Sequence, residues 1–261
     1  MSIRHPLTLA VALTAAGGSA HAGTLTDLGL SLEQIRTLNA QMTAPIAAPG
    51  IAFGSPTGFG AGWGQAFAGI GGETVPSGPD DVDGSALLGF GLGDPRRFVG
   101  LEASMNVISL REGFAEDGNW NFKLHRTLPF RAAFAIGVED TGGWGAAKDG
   151  DSSVYGVYTQ AVDLSPETLK RPLTLTYNIG VGNERFTDPD KSGVSPFGSV
   201  SFAWHRQDAV ILDWTGRDLN AGLSFVPFYR IPIVLTVGFI NLTERFADSE
   251  FAGGVGYLYQ F

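Results

Sequence analysis

Nine polar side chains sit at alternate positions among apolar or small neighbours: Glu102 and Asn106, then Asn121, Lys123 and His125, then Asn178, Asp213, Asn220 and Ser224. Successive side chains of an extended chain point to opposite faces, so each of these groups shares one face and leaves the apolar residues on the other. Carboxylates, amides, a lysine and an imidazole on one face offer three kinds of chemistry. Around a water-filled space they set charge selectivity at a constriction. Turned towards one another, they pair and fill the space, because charges away from water need partners. With a nucleophile and an orienting group in reach, an imidazole becomes a general base. This last option finds no support. The chain has no Gly-x-Ser-x-Gly elbow and no His-Glu-x-x-His motif. Of its four histidines, His5 and His21 lie in the leader-like first 22 residues, and only His125 and His205 remain. No catalytic residue is assigned, and the protein is read as a non-enzyme.

The elements that must position these groups are strands. From about residue 58 the chain alternates apolar and polar positions in twelve segments, near 60–72, 84–93, 97–110, 118–127, 130–139, 153–163, 172–183, 195–206, 208–216, 219–228, 231–242 and 250–261. Leu173, Leu175, Tyr177, Ile179 and Val181 share one face, and Thr174, Thr176, Asn178, Gly180 and Gly182 the other. Trp120, Phe122 and Leu124 alternate with Asn121, Lys123 and His125 in the same way. The segment at 153–163 is ambiguous, with apolar residues on both faces. No second sheet or helix layer remains in the sequence to cover so many apolar faces, and lipid is the alternative cover. The polar faces then turn inward, where small residues such as Gly89, Gly91, Ala133, Ala135, Gly180 and Gly222 leave room for water.

Composition agrees. Thirty-seven glycines and 18 phenylalanines without a cysteine suit a barrel of alternating strands, and rule out disulfide scaffolds and thiolate metal sites. A net charge of −9 argues against a nucleic-acid partner. The connections alternate in length, with 164–171 the one longer member of the tight set. Gly93-Asp94-Pro95-Arg96, Leu128-Pro129, Gln207-Asp208 and Tyr229-Arg230 are tight, and 73–83, 111–117, 140–152, 184–194 and 243–249 are long and acidic. Asp188-Pro189-Asp190-Lys191-Ser192-Gly193 resembles half a calcium loop, but Ser199 stands where the closing Glu belongs, and no metal site is assigned.

The first 22 residues read as a cleaved secretory leader: Arg4 and His5, an apolar run from Pro6 to Ala16, then Ala20-His21-Ala22. Residues 23–57 read as an N-terminal helix and linker, and 58–261 as the barrel. The helix, near 32–43, follows from a capping-box spacing of Ser31 and Gln34 with Leu32, Ile35, Leu38 and Met42 at helical intervals. Its single apolar stripe suits the barrel mouth or a membrane surface better than a polar lumen, although a plug inside the barrel is the other reading.

The chain ends Phe251-Ala-Gly-Gly-Val-Gly-Tyr-Leu-Tyr-Gln-Phe261, with Phe251, Val255, Tyr257, Tyr259 and Phe261 on one face. This resembles the terminal strand of bacterial outer-membrane β-barrels. The resemblance implies that Phe261, with Tyr259 and Tyr257, is part of the signal read by the barrel-assembly machinery. It also implies that outer-membrane lipid and lipopolysaccharide are partners. The stretch Gly89–Leu101, with Lys123-Leu-His-Arg126 and Ser153-Val-Tyr-Gly156, is similar to a group of uncharacterised bacterial barrels. Asp213-Trp-Thr-Gly-Arg-Asp-Leu-Asn220 resembles a hairpin of barrels linked to exopolysaccharide export. The expectation is an all-β protein, a single antiparallel transmembrane β-barrel of about twelve strands preceded by a short amphipathic helix. It would act without a cofactor as a narrow passive channel for small solutes. A filled-lumen surface protein, an export accessory and a barrel enzyme are the alternatives, the last without an assigned catalytic residue.

Overall fold

Twelve strands run up and down, each hydrogen-bonded antiparallel to its sequence neighbours, and the last closes on the first. In this computed structural model they are β1 (Gln65–Thr74), β2 (Val82–Gly93), β3 (Gly100–Val107), β4 (Gly118–Leu128), β5 (Ala132–Trp144), β6 (Ser153–Asp163), β7 (Thr174–Gly182), β8 (Ser195–Ala203), β9 (Asp208–Trp214), β10 (Leu219–Phe225), β11 (Ile233–Ile240) and β12 (Glu250–Gln260). The structure describes residues 47–74, 82–108, 110, 115–165 and 173–261, all within one unit, Pro45–Phe261. The leader and the helix expected near 32–43 lie outside the described residues. Closure removes the unpaired edges that an open sheet of this size would expose.

Alternation decides which face is which. Ile70, Leu88, Leu124, Ile179, Leu212 and Phe251 point outward and are more than a third exposed, whereas Asn178, Ser199, Asp213, Asn220 and Ser224 point inward and are buried. The protein is therefore apolar outside and polar inside. β6 resolves the one ambiguous segment: Tyr155, Val157, Thr159 and Ala161 are buried inside, and Val154 and Val162 lie outside. Its inner face is apolar because a ring cluster fills that side of the barrel. Phe186 stacks on Phe197 with centroids 4.4 Å apart, and Tyr155 meets both edge-on. Gly137, Gly180 and Gly182 make room, since a Cβ on any of them would fall within 2.4 Å of one of these rings.

The connections after β2, β4, β8 and β10 are short and carry Arg96, Arg97, Arg131, Arg206 and Arg230; we term this the turn end. The opposite loop end carries Asp188, Asp190, Glu244 and Asp248. β5 is irregular. Trp120 pairs with Thr141 but Phe122 with Val138, so Glu139 and Asp140 together oppose Asn121 in a β-bulge.

The first strand differs from expectation. It begins at Gln65, and the stretch from Gly58 to Ala61 lies inside the barrel, whereas Trp63 is 72% exposed. Their alternation of Gly58, Gly60, Gly62 and Gly64 with Phe59, Ala61 and Trp63 imitates a strand. The physical reason is close contact. A Cβ on Gly58 would sit 2.6 Å from the Ala133 carbonyl oxygen, and one on Gly60 2.8 Å from the His125 ring. The chain there lies against the inner wall and pairs with it only at Trp63, through a single bridge to Gly91.

Candidate functional site: the barrel lumen

The lumen holds a segment of the protein itself. Residues 50–63 enter at the turn end, climb to the loop end at Gly54, and return to the turn end before β1. At the start, Gly50 N–H donates to Ser224 Oγ at 2.7 Å, near the turn end of β10. The Ile51 carbonyl accepts from Ser199 Oγ at 2.9 Å and Asn178 Nδ2 at 3.3 Å. At the top, Asp213 takes the N–H groups of Phe53 at 2.6 Å and Ser55 at 3.1 Å, together with the Ser55 hydroxyl. Asn220 Nδ2 donates to the Phe53 carbonyl at 2.7 Å. Arg185, from the loop after β7, donates to the Gly54 carbonyl at 3.2 Å and pairs with Glu139. On the way down, Gly58 N–H donates to Thr159 Oγ1 at 2.7 Å, and Ala61 N–H to Glu102 Oε2 at 2.7 Å. His125 Nε2 meets the Ala61 carbonyl at 2.9 Å. Trp63 N–H then reaches the Gly93 carbonyl, the last residue of β2.

Six of the nine inward candidates, Glu102, His125, Asn178, Asp213, Asn220 and Ser224, therefore hold backbone of the inner segment. A chain threaded through a barrel has backbone groups without a sheet partner, and buried ones need partners; these side chains supply several of them. Lys123 joins the set indirectly, pairing with Glu102 at 2.8 Å. Asn121 lies apart from the segment and accepts the Asp140 N–H at 2.9 Å. Asn106 faces open space. Phe261 closes the seam, its N–H donating to the Gly64 carbonyl at 2.9 Å, and its ring stacks near that of Tyr259; Tyr257 and Tyr259 face outward.

The hairpin Asp213–Asn220 gains a local explanation. Asp213 and Asn220 grip the apex of the inner segment. Arg217 donates to the Thr187 and Glu184 carbonyls, and Asp218 accepts from Thr243 Oγ1 and Arg245 N–H. Asp188, at the start of the calcium-like stretch, is engaged by Lys191 at 3.0 Å and by the Asp190 N–H at 3.1 Å. Hydrogen bonding by that N–H, with Lys191 adding to it, holds its carboxyl below the usual range.

The inner segment occupies one side only. Against β11, β12, β1, β2 and β3 a cavity of about 750 Å³ remains, bounded by Ala52–Gly54 on one side and by Gly69, Gly71, Gly254 and Gly256 on the other. Glycine pairs Gly69–Gly256 and Gly71–Gly254 thin the wall there. Towards the turn end the next inward pair is Phe67–Leu258, and Phe67 lies over Gly89. A second cavity of about 410 Å³, holding the ion pairs Glu102–Lys123 and Glu139–Arg185, shares Leu87, Asn106 and Asp140 with the first.

Residues that the sequence reading passed over include Ser55, Thr159, Ser199, Asn119, Arg185 and Asp140. Thr159, Ser199 and Asn119 obey the same alternation and were open to discovery by parity. Asp140 was not, because the bulge breaks the parity at that point. No protein-family model matches this sequence, and no curated protein matches it.

Proposed function

We propose that this protein is an outer-membrane β-barrel, exported behind a cleaved leader, that conducts small polar solutes along the half of the lumen its inner segment leaves free. The observation that carries this reading is the cavity of about 750 Å³ between Ala52–Gly54 and the glycine-lined wall, in a barrel that is apolar outside and polar inside. Outward Ile70 and Ile179 are 61% and 64% exposed, and lipid is the cover that suits a continuous belt of such residues. Lipid and lipopolysaccharide are then its surroundings, and the barrel-assembly machinery its folding partner. The inner segment acts as a fixed constriction: its bonds come from inward side chains of β3, β4, β6, β7, β8, β9 and β10. No catalytic role is proposed for His125, whose Nε2 is engaged by the Ala61 carbonyl.

A second reading, a closed barrel with a structural or surface role, draws on the Phe67–Leu258 pair that narrows the lumen below the cavity. Single-channel recording in a planar bilayer separates the two. The full mature protein and a variant lacking residues 47–57 are compared. Steady conductance in the full protein, rising in the variant, supports the channel. Silence in both forms supports the closed barrel and rejects the channel. The export-accessory reading rests on the Asp213–Asn220 hairpin, whose polar side chains are already engaged within this protein.

A further inference from the structure

The two cavities meet at Asp140, which lines both. In a regular strand Glu139 would face inward and Asp140 outward into the apolar belt. The bulge opposite Asn121 adds one residue and brings both to the luminal side. Asp140 adopts φ +58°, in the left-handed region, and its freed N–H is taken by Asn121. Bulges commonly re-aim a side chain in this way.

The other acid–base pairs around this space are internally neutral. Lys123 is paired with Glu102, and Arg185 with Glu139. Among the described residues, no lysine or arginine lies within ion-pair distance of Asp140. Its Oδ1 accepts from Asn119 Nδ2 at 2.7 Å. Asn119 is itself 4% exposed, lines the larger cavity, and leaves its Oδ1 without any hydrogen-bond partner. The orientation of the amide follows from the chemistry, because turning it over would set oxygen against the Asp140 carboxylate. An orphaned buried acceptor costs on the order of 1–3 kcal/mol, and it stands beside an uncompensated negative charge.

We propose that Asp140 and Asn119 form a subsite for a primary ammonium group in the luminal cavity. A neutral donor would satisfy Asn119 and leave the Asp140 charge uncompensated. Ca²⁺ requires about 6–8 oxygen ligands, more than one carboxylate and one amide supply. An ammonium group brings both the charge and several N–H donors, enough for Asp140 directly and for the buried Asn119 Oδ1 once a small turn of its amide opens that atom to the cavity. That the bound group is a permeating solute rests on the channel reading; the subsite itself does not.

The test uses the full mature protein in detergent micelles. Thermal unfolding is followed in methylammonium chloride and, at equal ionic strength, in tetramethylammonium chloride, which has the charge but no N–H. Asp140→Asn and Asp140→Gly remove the charge, and both residue types tolerate the left-handed backbone, so the fold survives. The expected result is a higher Tm in methylammonium than in tetramethylammonium for the natural protein, with the difference lost in both variants. An equal Tm in the two salts, or a difference that persists in both variants, overturns the proposal. Bilayer recording in methylammonium chloride gradients forms the second arm. Cation preference that falls several-fold in Asp140→Asn places the site on the solute path. A salt-dependent Tm in a barrel that never conducts rejects the channel and leaves the subsite standing.

Discussion

The carboxylate of Asp213, fully buried on β9, accepts the backbone N–H of Phe53 at 2.6 Å across 160 residues of sequence. It also takes the Ser55 N–H and hydroxyl, so a single side chain fixes the turning point of the inner segment. Asp213→Ala would leave two backbone donors unsatisfied. At about 1–3 kcal/mol for each orphaned group, the apex should detach while the barrel stays closed. Limited proteolysis should then cut within residues 50–57 faster than in the natural protein. Unchanged protection would show that the other bonds suffice.

Gly54 occupies the apex with φ +133°, and a Cβ there would meet Asn220 Nδ2 at 2.9 Å and Thr215 Cγ2 at 3.1 Å. Gly54→Ala should therefore destabilise the folded protein by roughly 1–3 kcal/mol, as backbone strain of this kind does. Gly150→Ala is the control, since its Cβ would meet only the Ala147 carbonyl oxygen at an ordinary 3.4 Å. Denaturant unfolding in micelles compares them; equal midpoints would remove the apex from the account.

Asp188 gives the loop after β7 an acid dependence. Its carboxyl is held below the ordinary 3.8 first by the Asp190 N–H and then by Lys191. A depressed folded-state pKa contributes stability above the unfolded value, and that contribution is lost as pH falls through the folded value. The protection of the Asp190 and Lys191 amides against exchange, taken relative to their intrinsic rates at each pH, should thus be steady near neutrality and fall only below pH 3.8. In Asp188→Asn the acid-induced step should disappear. A step that survives the substitution would assign it to another carboxylate.

Phe261 follows the seam strand β12, with its N–H on the Gly64 carbonyl. Deleting it removes that bond and the terminal aromatic beside Tyr259. The expected outcome is a smaller fraction of heat-modifiable, membrane-assembled protein in cells, with in-vitro refolding less affected. Full assembly of the truncated chain would count against the terminal-strand reading.

The barrel itself was legible before any coordinates. Alternation places Leu175, Tyr177, Ile179 and Val181 outward and Asn178 inward, and the structure agrees. Connection lengths and the strict up-and-down order follow the same local logic. The first strand was misplaced because glycines that press against a wall share the period of two with residues that form one.

Side-chain alternation is a property of the local backbone, so the sequence by itself determined the strands other than the first, the faces of all but β6, and the polar character of the interior. What the interior does with those polar groups is a question of distance across the barrel. Gly50 and Ser224 are 174 residues apart in the chain and 2.7 Å apart in space, and no local period encodes such a meeting. The same holds for Asp140, whose inward aim depends on one extra residue in β5 measured against β4. Only the tertiary structure turned a row of selectivity candidates into the grip on an inner segment, because closure alone brings opposite walls and the threaded chain within hydrogen-bonding reach.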